Sequence, residues 1–336
     1  MTDYDGIYEP SNQTHQLSLQ AFFFLLILIS RKEHIIISSS FIVKLSTELP
    51  IGEGLGSSAS FAVCLAACFW RWSLLQKGTV LYEFGKQDLL KISNYAQNCD
   101  SIIYNSSTKI DTIISTYGMI KIFDKGIINT LTSKSFSNLP DMKILLVFSN
   151  VKKTKSKKSM KIEALKNSHL LIDFILNSIE VISSTFIYVL DIIDVKIYNR
   201  LKKNNSQFIN ITDNYKTLLD IIHMNQGLLK TLGMSHPNLD IICAIARNFG
   251  FAGKLASKSG VTLQDLIDMN QGLLRAIAQD FSLGGKIAAS SGGRYAFIFL
   301  LSNNSDELVQ DLIEIFESYN FSAKIVSLNC SGVRVE

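Results

Sequence analysis

The chain has 336 residues, of which 47% are hydrophobic and 18% charged, with a mean hydropathy of +0.21 and a formal net charge of +4. That apolar content can bury a large core, and the length predicts two globular domains rather than one. Apart from one stretch the Lys and Arg residues are dispersed, so the charge balance does not call for a nucleic-acid partner. The five cysteines, Cys64, Cys68, Cys99, Cys243 and Cys330, form no CxxC pair and lack the spaced histidines of a zinc site. Reduced, mostly packed thiols in a cytoplasmic protein are expected, with Cys64 and Cys68 able to share one helix face.

In chain order, the first feature is the apolar run Ala21-Phe-Phe-Phe-Leu-Leu-Ile-Leu-Ile29. At nine residues it is well short of the roughly 20 that a membrane span needs, so a buried helix and no membrane partner are expected. Asp3, Asp5 and Glu9 precede it with no basic residue before Arg31, which is not the pattern of a secretion signal. Residues 35–43 are rich in β-branched side chains and predict a strand, followed by a glycine-rich turn and a helix over 59–69. Short runs of Ile, Thr, Tyr and Val between 112 and 148, punctuated by Gly118, Gly126 and Pro140, predict further strands.

Residues 152–161 hold the one dense basic patch, and the domain junction is placed there, giving domains over 1–150 and 151–336. The patch reads as a solvated loop or as a positive rim attracting an anionic nucleotide or phosphorylated product, and both readings stay open. Apolar residues at helical spacing follow from 162 to 194.

The C-terminal half then repeats itself. Asp220-Ile-Ile-His-Met-Asn-Gln-Gly-Leu-Leu-Lys230 returns as Asp265-Leu-Ile-Asp-Met-Asn-Gln-Gly-Leu-Leu-Arg275, and the duplication covers 220–256 and 265–288 with unequal spacing. Two copies without a constant period indicate a local duplication, not a solenoid. One copy is expected in the core, the second being favoured because a strand over 295–301 follows it directly. A helix over 306–319 capped by Ser305 and a strand over 324–328 complete a β-α-β unit, so the second domain is expected to be α+β.

The glycine-rich turn carries the chemistry. Gly52, Gly54 and Gly56 alternate between the expected strand and helix, with Leu55 among them, and Ser57, Ser58 and Ala59 open the helix. Glycines let the main chain approach phosphate oxygens without a Cβ in the way, and the helix N-terminus adds about half a positive charge. No Lys follows, so this is not a Walker A loop, and the spacing is not that of a dinucleotide fingerprint.

The full string Glu48-Leu-Pro-Ile-Gly-Glu-Gly-Leu-Gly-Ser-Ser-Ala-Ser60, continued by Val63-Cys-Leu-Ala-Ala67, resembles the second signature of the small-metabolite kinase superfamily that includes galactokinase, homoserine kinase and phosphomevalonate kinase, and within it the mevalonate kinase family. Ser115-Thr-Tyr-Gly118, Met224-Asn-Gln226 and Gly332-Val-Arg-Val335 extend the resemblance. It implies a two-domain α+β fold with an N-terminal mixed α/β domain and a ferredoxin-like C-terminal domain. It also implies ATP and Mg2+ as cofactors and mevalonate as substrate, in isoprenoid and sterol precursor synthesis. Gly52 and the residues from Gly54 to Ala59 would bind the triphosphate, Ser58 and Asp100 the magnesium, and Thr108 the substrate. Asp111, eleven residues beyond Asp100, would be the catalytic base.

The chain also departs from that pattern. The family's opening Pro-Gly-Lys motif is absent, since none of the four prolines precedes a glycine, and Asp100 stands where the family carries a glutamate. The turn between Asp100 and Asp111 keeps only the Thr108 hydroxyl, and the third glycine-rich signature is reduced to Gly292-Gly293. Part of the N-terminal sheet is therefore expected to be missing or rebuilt. A catalytically inactive kinase-fold binding protein or truncated gene product stands as the alternative to an active enzyme, and a homodimer is left open.

Overall fold

The structure is a computed structural model that describes residues 11–49, 51, 55–106, 109–122, 134–136, 138–139, 142–150, 169–202, 211–232, 235–248, 295–300, 305–327 and 330–335. Two compact units emerge, one of Met1–Gly118 with Ser331–Glu336 and one of Met119–Cys330. The first is built from helices α1 (Gln13–Glu33), α2 (Ser57–Gln76), α3 (Lys86–Ile103) and α4 (Ile110–Tyr117).

Asn12 starts α1 by accepting the N–H groups of Thr14 and His15 at 3.0 and 3.4 Å, and Arg31 and Lys32 suit the negative end of its dipole. Ala21, Leu25 and Ile29 recur every fourth residue and are fully buried against α2 and α3. The apolar run is thus helical as expected, but it is not buried all round: Leu19, Phe23 and Ile27 lie exposed on the opposite face. Among the described residues α1 and α2 are also long and apolar enough to cross a bilayer.

Residues 35–43 form no strand, although their composition favours one. Strand propensity is realised only beside a partner ladder, and the Gln76 side chain occupies the Ile36 backbone instead. Its Oε1 accepts the Ile36 N–H at 2.9 Å and its Nε2 donates to the Ile36 carbonyl at 2.8 Å. Residues 110–117 are likewise helical, not extended. Thr112 and Thr116 return their hydroxyls to the carbonyls of Lys109 and Thr112, at 2.9 and 2.6 Å, which lets β-branched residues sit in a helix without orphaned buried groups.

A polar knot closes the other end of this unit. Glu33, at the end of α1, accepts from Tyr95 Oη at 2.7 Å, Lys77 Nζ at 3.2 Å and Lys91 Nζ at 3.3 Å. Lys91 also lies 4.0 Å from the centroid of Trp70, whose indole donates to Asp88 at 2.9 Å. Three helices are thereby pinned at one point. The expectation of mostly packed cysteines fails here: Cys99 and Cys243 are buried, but Cys64, Cys68 and Cys330 are exposed.

In the second unit β1 (Lys121–Ile122) pairs with β2 (Lys134–Ser135), and β3 (Lys143–Phe148) is the centre of a separate antiparallel sheet. β4 (Tyr295–Leu300) runs beside it with Lys143 opposite Leu300, and β5 (Ser322–Ser327) on its other side with Lys143 opposite Ser327. Both neighbours are antiparallel to β3, so they are parallel to each other. The helix between them, Asp306–Ser318, makes a split β-α-β unit. Its cap, Ser305, accepts the Leu308 N–H at 3.2 Å, and Val309, Leu312 and Phe316 bury its inner stripe.

Among the described residues of this unit, three helices precede β4, α5 (Leu171–Lys202), α6 (Thr212–Thr231) and α7 (Pro237–Asn248), so the helix after β4 is α8. Ile172 and Ile175 of α5 pack with Leu229 of α6 and Leu232 just beyond it. The first copy of the duplicated segment is therefore a packed helix, with Ile221, Ile222, Asn225, Gln226 and Leu229 buried. The second copy, the basic patch and the reduced third signature lie outside the described residues. The fold is α+β, mainly helical, with a small antiparallel sheet.

Candidate functional site

Helix α2 begins where the glycine-rich turn ends. Gly56 takes its N-cap position at φ 77°, ψ 17°, a left-handed conformation suited to glycine, and no side chain caps the helix. The Ser60 N–H reaches back to the Gly56 carbonyl at 3.0 Å, which closes the first turn. The first turn of α2 contains no acidic residue that would offset the partial positive charge of its N-terminus. Leu55, Gly56, Ser57 and Ser58 are half-buried, and Ala59 is fully buried as the anchor of the turn.

Asp111 lies in the first turn of α4 and is buried. Two contacts fix that helix. The Ser115 and Ser60 hydroxyls meet at 3.2 Å, joining α4 one turn beyond Asp111 to the first turn of α2. In the same turn, the Val333 N–H donates to the Thr116 carbonyl at 3.1 Å, and Gly118 bridges to Ser331. Gly332 allows this approach: a Cβ there would collide with the Thr116 carbonyl.

Asp100 sits in the last turn of α3 and is 2% exposed. Its main-chain carbonyl accepts from the N–H groups of Tyr104 and Ser106 at 3.2 and 3.1 Å, but neither carboxylate oxygen has a hydrogen-bond partner among the described residues. A buried carboxylate in that condition is costly unless a cation is near. Its influence is felt next door: burial, with a smaller push from Asp100, raises the Cys99 thiol to about 12. Among the described residues no cluster of three or more His, Cys, Asp or Glu side chains forms a metal cage. Magnesium does not need one, since it is commonly held by one or two carboxylates, substrate phosphates and water. An orphaned carboxylate on Asp100 and a hydroxyl on Ser58 suit that ion.

Of the expected site residues, Leu55, Gly56, Ser57, Ser58, Ala59, Asp100 and Asp111 thus fall in one compact unit, on α2, α3 and α4, which pack on one another. Gly52, Gly54 and Thr108 lie outside the described residues. The Ser60–Ser115 contact and the close approach of Gly332 are positioning features that the motif reading did not find. Their only sequence signal was that both Ser115 and Gly332 fell in stretches resembling the family.

One unit is thus a helical layer whose α2 starts at a left-handed glycine, and the other carries a split β-α-β unit. Residues 24–119 match the GHMP kinases N terminal domain. Among the proteins the chain is similar to are mevalonate kinases. It is 29% identical over 249 residues to mevalonate kinase of Mus musculus, covering 73% of this chain and 58% of that protein. To the Homo sapiens mevalonate kinase it is 28% identical over 264 residues, covering 76% and 61%. A crystal structure of L. major mevalonate kinase in complex with R-mevalonate superposes with a TM-score of 0.55 at 12% identity, covering 96% of this chain and 81% of that one, and supports the fold. The matched part spans about three fifths of the length of these two curated relatives.

Proposed function

We propose that this chain transfers the γ-phosphoryl group of ATP to the primary hydroxyl of mevalonate, giving 5-phosphomevalonate and ADP, as a cytoplasmic enzyme of isoprenoid and sterol precursor synthesis. The observation that carries the reading is the Ser60–Ser115 contact, which ties the helix bearing Asp111 to the turn suited to phosphate. Gly54 to Ser58 bind the triphosphate through main-chain N–H groups and serine hydroxyls. Asp111, ionised, accepts the proton of the substrate hydroxyl as its oxygen bonds to the γ-phosphorus and the bond to the ADP oxygen breaks. Ser58 and Asp100 would hold Mg2+, which when bound neutralises charge on the phosphate oxygens. Burial of Asp100 and Ala59 keeps the inner wall of the site dry, so each of these interactions gains strength.

The test is ATP turnover coupled to ADP detection, with mevalonate as acceptor, for the wild-type chain and Asp111→Asn. Activity is expected in the wild type and a loss of about 100-fold or more in the variant. Equal rates in the two would sink the assignment of Asp111. One observation favours a second reading, a kinase-fold protein that binds nucleotide without turnover: no proline in the chain precedes a glycine, so the lysine-bearing Pro-Gly-Lys motif is absent. Magnesium–ATP binding measured by calorimetry on the same preparation separates the two, since binding without turnover selects the second.

A further inference from the structure

Cys64 and Cys68 have no part in the proposed reaction, yet both are exposed on α2 and lie one helical turn apart. Side chains at that spacing have Cβ atoms about 5–6 Å apart. A disulfide needs Cβ atoms about 3.5–4.5 Å apart, so this pair cannot close one without unwinding the helix. A single soft ion between two thiolates, at about 2.3 Å from each, spans sulfur atoms up to about 4.6 Å apart, which rotation about χ1 on adjoining turns can supply.

The surroundings suit a soft ion and not a hard one. Helix α2 contains no Asp, Glu or His from Ser57 to Gln76, so carboxylate and imidazole ligands are lacking on the helix itself. The thiols are exposed at the residue level but partly covered, and this partial burial raises Cys64, with a smaller contribution from Cys68. Burial raises Cys68 as well, while the guanidinium of Arg71, three residues on, works in the opposite direction.

We propose that Cys64 and Cys68 form a two-thiolate site for a soft monovalent cation of the Cu(I) type. Binding releases both thiol protons, forms two sulfur–metal bonds and leaves the oxidation state of the metal unchanged. The resulting bis-thiolate centre carries one net negative charge, which Arg71 offsets. Nothing in this site depends on phosphoryl transfer.

The experiment is an anaerobic titration of the full chain with Cu(I) against a chromophoric Cu(I) chelator, for the wild type, Cys64→Ser, Cys68→Ser and Cys330→Ser. One equivalent held by the wild type and by Cys330→Ser is expected, with affinity lowered about tenfold or more in each of the other two. Equal affinity in Cys64→Ser or Cys68→Ser, or no copper held by the wild type, overturns the site. A second measurement needs no variant. In the copper-loaded chain Cys64 and Cys68 should both resist alkylation while exposed Cys330 reacts, and alkylation of either member of the pair also overturns it.

Discussion

Asp240→Asn tests how the joint between α6 and α7 responds to pH. Asp240 is 6% exposed, and its Oδ1 accepts the Ser235 hydroxyl, whose oxygen in turn accepts Gln226 Nε2 at 3.1 Å. Burial raises its carboxyl from 3.8 to about 6, and the Ser235 hydrogen bond and the nearby Lys230 only partly offset this. Between those two values the folded chain binds a proton that the unfolded chain does not, so stability falls as pH rises through this window. The penalty is absent below the lower value and complete above the upper one. A tenfold change in proton affinity is worth about 1.4 kcal/mol, which places the full penalty at about 1–3 kcal/mol once the favourable N-terminus of α7 is allowed for. Asparagine keeps the acceptor and removes the charge. Urea unfolding at pH 4 and pH 8 should therefore show Asp240→Asn gaining about 1–3 kcal/mol on the wild type between the two conditions. A difference between variant and wild type that is the same at both pH values would refute the reasoning.

Two further outcomes are expected. Glu33→Gln should lower the unfolding free energy by about 1–3 kcal/mol in denaturant titration, because Tyr95, Lys77 and Lys91 lose a shared anionic acceptor. Burial works to raise the Glu33 carboxyl, but the hydrogen bonds from Tyr95, Lys77 and Lys91 together hold it below its ordinary value. The stabilisation is therefore present above that value and lost as pH falls through the depressed one. Gly332→Ala forces a Cβ into the Thr116 carbonyl and should destabilise the first unit by about 1–3 kcal/mol, read as earlier loss of amide-exchange protection in α4. Equal protection in that variant would show that the C-terminal residues do not hold α4.

Several elements were legible because their information is local. The helix after the glycine turn, the Ser305-capped helix and the buried β3 and β4 follow from periodicity, capping and continuous apolar runs, each of which operates within a few residues. The glycine start of α2 was legible for the same reason, since Gly56 and the serines after it form one contiguous segment. Residues 35–43 and 112–117 depart from the expected strands because β-branched composition states a preference that a distant partner must satisfy. Gln76 takes the backbone of the first segment, and the threonine back-bonds with packing on α2 and α3 commit the second to a helix. The exposure of Cys64 and Cys68 was equally hidden, since helical spacing places two thiols on one face without saying what covers that face.

The amino-acid sequence by itself determined the glycine-capped turn, its serines and the acidic residues Asp100 and Asp111, because residue type and short spacing suffice for these. Only the tertiary structure decided that Asp100 is buried with no hydrogen bond to its carboxylate, and that Ser115 meets Ser60 so that α4 stands against the first turn of α2. Burial and contact arise from residues tens of positions apart in the chain, and their cost or gain exists only once the helices have packed.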